Sequence, residues 1–190
     1  MGNQRQAEIK DQTLYAWAAG FFDGEGCVSI CKTKQQRLNG IYYGLKIIVT
    51  QLDPTPLEKF KEIFDVSYPI QLIKGSKGLQ KDYHRLTFSG PQAKLALSKM
   101  FQYLTVKQEL AGLGIAFQTL VDSTTAKERN AGLSCAAVEE RNSYYLKVKS
   151  LQQKTRFRAA AETKLENLPQ GGCDSPNFHN DKVEELVRNN

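Results

Sequence analysis

The run Trp17-Ala18-Ala19-Gly20-Phe21-Phe22-Asp23-Gly24-Glu25-Gly26 decides how this chain is read. Thr13 can cap a helix that passes through Leu14, Tyr15, Trp17, Ala18, Phe21 and Phe22. The helix should end near Gly24 and Gly26, where glycine supplies the permissive backbone of a helix exit. Ala16, Gly20 and Gly24 recur at i, i+4 and i+8, a smooth stripe that lets another backbone approach closely. Trp17, Phe21 and Phe22 fall on other faces and suit the domain's own core. Asp23 and Glu25 lie at the C-terminal end, where the helix dipole disfavours a carboxylate unless a cation or hydrogen bond compensates. These residues alone fit either a tight helix pair followed by a turn or a metal-binding helix end.

Outward from this run, Cys27 to Lys32 alternates as a strand, Gln35 to Gly40 is a polar turn, and Ile41 to Gln51 is a second strand. Tyr43, Leu45, Ile47 and Val49 share one side of it, and Tyr42, Lys46, Ile48 and Thr50 the other. Asp53-Pro54 starts a helix whose buried stripe is Leu57, Phe60, Ile63 and Phe64. Strands follow at Tyr68 to Lys74 and Tyr83 to Ser89. Pro91 opens a helix with apolar positions Leu95, Leu97, Met100 and Phe101, and another runs from Val106 to Val121. This order predicts an α+β fold of αββαββα type, a four-stranded antiparallel sheet with helices on one face. A C-terminal helix is expected over Ala136 to Gln153, packing through Val138, Tyr145, Leu146 and Val148. The expected divisions are a flexible N-terminus at 1–12, a core at 13–121, a helical extension at 122–165 and a polar tail at 166–190, with at most a short helix near Val183 to Val187.

Hydrophobic residues make up 41% of the 190 residues, enough to build a core. No apolar run approaches the ~20 residues of a membrane span, and Met1 to Gln12 is too polar for a secretory signal. The chain is therefore expected to be soluble, intracellular and without a membrane partner. The formal charge of +6 favours a polyanionic partner. Cys27, Cys31, Cys135 and Cys173 form no CxxC pairs, so thiols in a reducing compartment are expected rather than a zinc site. His84 and His179 are too few and too far apart for a histidine-centred metal or triad mechanism.

Ala18 to Gly26, AAGFFDGEG, resembles the LAGLIDADG signature of the homing endonucleases, with Ala for the first Leu and Glu for the second acid. The strand after the motif, the Val49-Thr50-Gln51 strand end, the Pro-started helix and the run Leu104-Thr105-Val106-Lys107-Gln108 extend the resemblance over residues 13 to 121. It implies a site-specific DNA endonuclease encoded for intron homing. In such enzymes, two motif helices meet at a twofold axis and their last acids bind divalent metal over the minor groove. Glu25 takes the catalytic and metal-binding position, with Gly24 beside it. Mg²⁺ is the implied ion, with Mn²⁺ or Ca²⁺ able to occupy the same site. The resemblance makes Gln51 the orienter of the water network and Lys107 the stabiliser of charge near the scissile phosphate. Asp23 is given a capping or dimer-helix role. The family often carries a basic residue shortly after the Gln51 position, but Leu52 to Pro56 supply none, so either Lys107 acts with less help, or another base such as Lys46 or Lys32 substitutes, or cleavage is slow or lost.

Only one motif is present. Leu110-Ala111-Gly112-Leu113-Gly114 lacks the acid of a second and reads as helix packing. One carboxylate position per chain implies a homodimer, with Ala16, Gly20, Asp23 and Gly24 at its interface, and a pseudopalindromic double-stranded DNA site. Each copy would cover about 10 bp. An antiparallel sheet can lie in the major groove. By strand parity Ser29, Cys31, Tyr42, Lys46, Ile48, Gln71, Ile73, Tyr83, Arg85 and Thr87 would face bases, with Arg85 foremost. Lys32, Lys34, Arg37, Lys74, Lys77 and Lys81 would meet phosphates. The alternative is an intron maturase acting on RNA, or a LAGLIDADG-type binder that does not cut. The setting could be an organelle, a bacterial or archaeal cytoplasm or a phage-infected cell.

Overall fold

The computed structural model describes residues 2–35, 40–75, 81–124 and 133–166. The chain divides into two compact units, Met1–Gln153 and Lys154–Asn190. The described part of the second unit is helical backbone as far as Glu166. No helix among the described residues is long and apolar enough to cross a membrane.

The order is α1 (Gly2–Glu25), β1 (Gly26–Gln35), β2 (Gly40–Gln51), α2 (Thr55–Ile63), β3 (Gln71–Ile73), β4 (Tyr83–Ser89), α3 (Gly90–Met100), α4 (Gln108–Asp122) and α5 (Cys135–Glu166). The αββαββα order and antiparallel sheet match the expectation. The strands lie in the order β1-β2-β4-β3. The register follows from parity. Tyr43, Leu45, Ile47 and Val49 are each 1% exposed, packed with Val28, Ile30, Leu86 and Phe88 beneath the helices. A one-residue slip would turn this whole set to the other face, which is why the pairing is so firmly specified.

Several bounds differ from expectation, each for a local reason. Helix α1 starts at Gly2 rather than Thr13, so the segment expected to be flexible is helical. Gln4 to Lys10 contains no helix breaker, only good or neutral helix formers. Strand β3 is confined to Gln71–Ile73, because Pro69 has no N–H to give a ladder. In α3 the buried residues are Ala93, Ala96, Leu97 and Met100, while Leu95 and Phe101 are exposed. Helix α5 continues past Gln153 through an Ala-, Lys- and Glu-rich stretch without Pro or Gly. Val148 of α5 is buried and Leu146 is exposed.

Up to Gln153, α5 lies in the same compact unit as the sheet. Ser134 caps this helix through its hydroxyl to the Ala137 N–H. Tyr144 meets Phe117 edge-on at 6.1 Å. Asn142 Oδ1 accepts from the Tyr43 hydroxyl at 2.8 Å. Gln152 donates to the Val28 carbonyl at 2.7 Å, satisfying an acceptor of β1, a strand at the edge of the sheet.

The glycines of the opening run act through space rather than backbone angle, contrary to expectation. Gly90 is the glycine with positive φ among the described residues. At Gly26 a Cβ would lie 2.2 Å from the Phe22 ring and 2.5 Å from its carbonyl oxygen. Gly26 therefore lets β1 leave α1 directly over a buried aromatic. A Cβ at Gly20 or Gly24 would meet nothing within 4 Å. In Leu110 to Gly114, Ala111 is buried and a Cβ on Gly114 would press on Leu45, Leu97 and Val28. That stretch is helix packing, as expected.

Candidate active site and nucleic-acid interface

The last turn of α1 holds two carboxylates with different fates. Asp23 is engaged within its own chain. It accepts from the Thr105, Val106 and Lys107 N–H groups at 2.7, 3.1 and 2.9 Å and from the Thr105 hydroxyl at 2.9 Å. Partial burial alone would raise its carboxyl, but these hydrogen bonds outweigh it and hold the group below its ordinary value of 3.8. Asp23 thus ties the end of α1 to the start of α4, across more than 80 residues of chain. Of the two roles expected for it, capping is the one its carboxylate performs within the chain.

Glu25 is exposed, and among the described residues its side chain makes no hydrogen bond or ion pair. Lys107 stands beside it. The Lys107 ammonium donates to the Asp23 carbonyl. Burial pushes it below its ordinary value, while Asp23, Cys27 and Glu25 favour its charged form. Gly26, the first residue of β1, pairs with Val49, which puts the Gln51 end of β2 at the same end of the sheet. Gln51 Oε1 accepts from the Leu52 N–H at 2.9 Å. The structure therefore gathers Glu25, Lys107 and Gln51 at one end of the sheet, from three separate stretches of sequence.

No cluster of three or more metal-ligating side chains occurs among the described residues of a single chain. Glu25 offers one hard, unengaged carboxylate, and the helix end adds backbone carbonyls without intrahelical partners, Gly24 among them. This donor set suits a hard divalent cation. It adjoins the exposed stripe of Ala16, Gly20 and Gly24.

The uncovered face of the sheet carries the second group. The pairings Ser29–Lys46, Ile48–Thr87, Gln71–Arg85 and Ile73–Tyr83 place these residues together. Cys31 and Tyr42 complete the ten expected on that face. Thr50, read on that side from parity, shares it too, as do Cys27, Thr33 and Ser89, which were missed although parity would have found them. Arg85 donates from Nη2 to the Tyr83 hydroxyl at 2.8 Å, and its Nε has no hydrogen-bond partner. The Tyr42 ring lies over Gly44, where a Cβ would be 3.0 Å away.

The expected phosphate contacts are less uniform. Lys32 is on the helix-side parity. It donates to Asn142 at 3.0 Å and rides over the Tyr43 and Tyr145 rings, so its charge is engaged inside the chain. Lys74 is paired with Asp82 at 2.8 Å. Lys34 and Lys81 are exposed. Arg37, Lys77, Cys173, His179 and the helix expected near Val183 lie outside the described residues.

Three comparisons bear on this arrangement. No curated protein matches the chain in sequence. The fold is shared with solved structures. The homing endonuclease I-CvuI, in complex with the I-CreI target in the presence of magnesium, has a TM-score of 0.59 at 18% identity. That alignment covers 75% of this chain and 84% of that one. The archaeal intron-encoded homing endonuclease I-Vdi141I, in complex with DNA, has a TM-score of 0.59 at 14% identity, over 76% of this chain and 85% of that one. The homing endonuclease I-TnaI has a TM-score of 0.52 at 15% identity, over 74% of this chain and 96% of that one. The family model for LAGLIDADG endonucleases matches residues 18–110, a span that contains the motif, the whole sheet and Lys107. Over these residues the chain belongs to the LAGLIDADG endonuclease family.

Proposed function

We propose that the protein is a homodimeric, site-specific endonuclease that cuts double-stranded DNA, with divalent metal held by Glu25. The observation that carries this reading is Glu25 itself: an exposed carboxylate without a partner, at the end of an unpartnered small-residue stripe and within electrostatic reach of Lys107. Two copies joined through Ala16, Gly20 and Gly24 would bring two such carboxylates together and complete the half-site. Glu25 and the Gly24 carbonyl would hold Mg²⁺, with Mn²⁺ or Ca²⁺ as alternatives. When bound, the metal supplies activation of a water and stabilisation of the leaving oxygen.

The chain's own residues do the rest. Lys107, half-buried and pinned by the Asp23 carbonyl, presents fixed positive charge where negative charge grows at the phosphate. Gln51 orients water at the strand end. Asp23 keeps the Lys107 segment against α1. The open face of the sheet lies in the major groove, with Arg85, steadied on Tyr83, suited to guanine. Residues 13–121 form the endonuclease core, and the protein acts on DNA inside the cell. RNA binding as an intron maturase, or DNA binding without cleavage, is the competing outcome, favoured by the absence of a base in Leu52 to Pro56.

A cleavage screen over a DNA library with Mg²⁺, repeated with Glu25→Gln, tests the proposal. The wild type should cut a pseudopalindromic site, and Glu25→Gln should lose about a thousandfold or more in rate while still binding it. Sedimentation should find two chains per site. Specific RNA binding, with no DNA cut under Mg²⁺ or Mn²⁺, would decide for the alternative.

A further inference from the structure

The turn after β2 carries no basic side chain, and neither lysine expected to substitute stands near it. Lys32 pairs with Tyr43, six ladder positions from the Gly26–Val49 pair, or about 20 Å along the strand. Its ammonium is held by Asn142. Lys46 pairs with Ser29, three positions from that end, on the open face.

The sheet brings a different base to this place. His84 of β4 is the direct cross-strand partner of Gln51, and the Cβ atoms of such pairs lie about 5 Å apart on one face. Its Nδ1 is 3.0 Å from the Leu52 carbonyl oxygen. A carbonyl only accepts, so the ring donates through Nδ1–H and Nε2 is the atom that takes up or releases the second proton. Asp53, from the β2–α2 turn, and Asp82, ahead of β4, lie within electrostatic reach. Both carboxyls are held below the ordinary value, Asp53 chiefly by Thr55 and Asp82 chiefly by Lys74 and Gly75, each with a smaller contribution from His84. Lys74, bonded to Asp82, and the exposed Lys81 are further charged groups at this edge among the described residues. From β3, Leu72 is the other ladder partner of His84 and brings no charge.

We propose that His84 is a positioning residue for the Gln51 strand end: bonded to the Leu52 carbonyl and paired with Gln51, it supplies from β4 the basic group that the turn lacks. The inference rests on the reading of Gln51 as the water-orienting side chain of an endonuclease site. Protonation of the ring changes the charge beside Gln51 while the Leu52 bond holds the ring in place. His84 thereby links the geometry of the strand end to pH.

The test uses the full chain as wild type, His84→Asn, which keeps a donor near the Nδ1 position but cannot titrate, and His84→Ala. The DNA is a site recovered by the cleavage screen. His84→Ala should slow single-turnover cleavage about tenfold while DNA affinity moves less than about twofold. The pH–rate profile of His84→Asn should differ in shape from that of the wild type. In the free wild-type protein, the Gln51 side-chain amide resonance should shift with the same midpoint as the His84 ring. Variant profiles that superimpose on the wild type, or rate and affinity falling together, would overturn the proposal. So would a Gln51 amide that ignores the ring's titration, whether or not any DNA is cut. If that coupling is present and no site is cleaved, the positional link stands and the endonuclease reading is what fails.

Discussion

The two faces of the sheet are made from the same strands, residue by alternate residue, and they are built to opposite ends. Under the helices, Tyr43, Leu45, Ile47 and Val49 are sealed in a core that also takes Phe22, Phe60 and Phe88. On the other face, Tyr42, Lys46 and Ile48 stand beside Ser29, Thr87 and Arg85, all outside the buried core. The covered face is apolar and closely packed at its centre, with Lys32, Gln51 and His84 only towards its ends. The open face mixes hydroxyls, an amide, charges and isolated aliphatics. Burial alone explains the first. The second is stable only because the first is, which leaves its side chains free to be chosen for a partner. The same contrast recurs in miniature at the end of α1, where Asp23 is bound to the chain from several sides and Glu25 makes no hydrogen bond among the described residues.

Substitutions on either side of this divide should therefore differ in kind. The largest effect is expected from Leu45→Ala on the covered face: a loss of about 3 kcal/mol in unfolding free energy from transfer and cavity effects. Denaturant melts check it, and base preference should stay the same. Arg85→Ala on the open face should do the reverse. It should relax preference at one base per half-site by about 1–3 kcal/mol, read by binding to a panel of singly changed sites. Its melting midpoint should hardly move. If Arg85→Ala instead weakens every site equally, the open face is positioning DNA rather than reading it.

Asp23→Asn should cost about 1 kcal/mol, because hydrogen bonds to a charged acceptor become bonds to a neutral one, and should slow cleavage by loosening the Lys107 segment. Its pH dependence has a defined sign. The folded-state carboxyl sits below the ordinary 3.8, so its contribution is fully present above the unfolded chain's value and disappears as pH falls through the folded one. The stability gap between wild type and variant should therefore close in acid. A gap that persists there would assign the difference to packing instead of ionisation. The smallest effect is expected from Ile48→Thr. Stability should change by less than about 0.5 kcal/mol, because Ile48 faces away from the core, while any contact with a thymine methyl would show as altered preference at one position.

Legibility followed the range of the interaction. Strand parity separated Leu45 from Lys46 correctly, because alternation is a property of adjacent residues. The small stripe and the acids of α1 were visible for the same reason. Lys32 was assigned to phosphate, yet it lies on the covered-face parity, and its partner Asn142 is 110 residues away. The length of β3 and the buried set of α3 were misjudged where proline chemistry and neighbouring layers overrode apolar pattern. The partner of Asp23 could not be read from its surroundings, since it is a loop brought back by the whole αββαββα path.

The family motif, the order of elements and the two-sided character of the sheet were thus fixed by sequence alone, since all follow from spacings of a few residues. Only the tertiary structure decided which carboxylate is engaged and which is free. It also decided that Gly26 serves a close approach to Phe22, that α5 covers the edge of β1, and that His84 stands opposite Gln51. Each of these depends on contacts between residues distant in the chain, and a local pattern carries no record of where the chain returns.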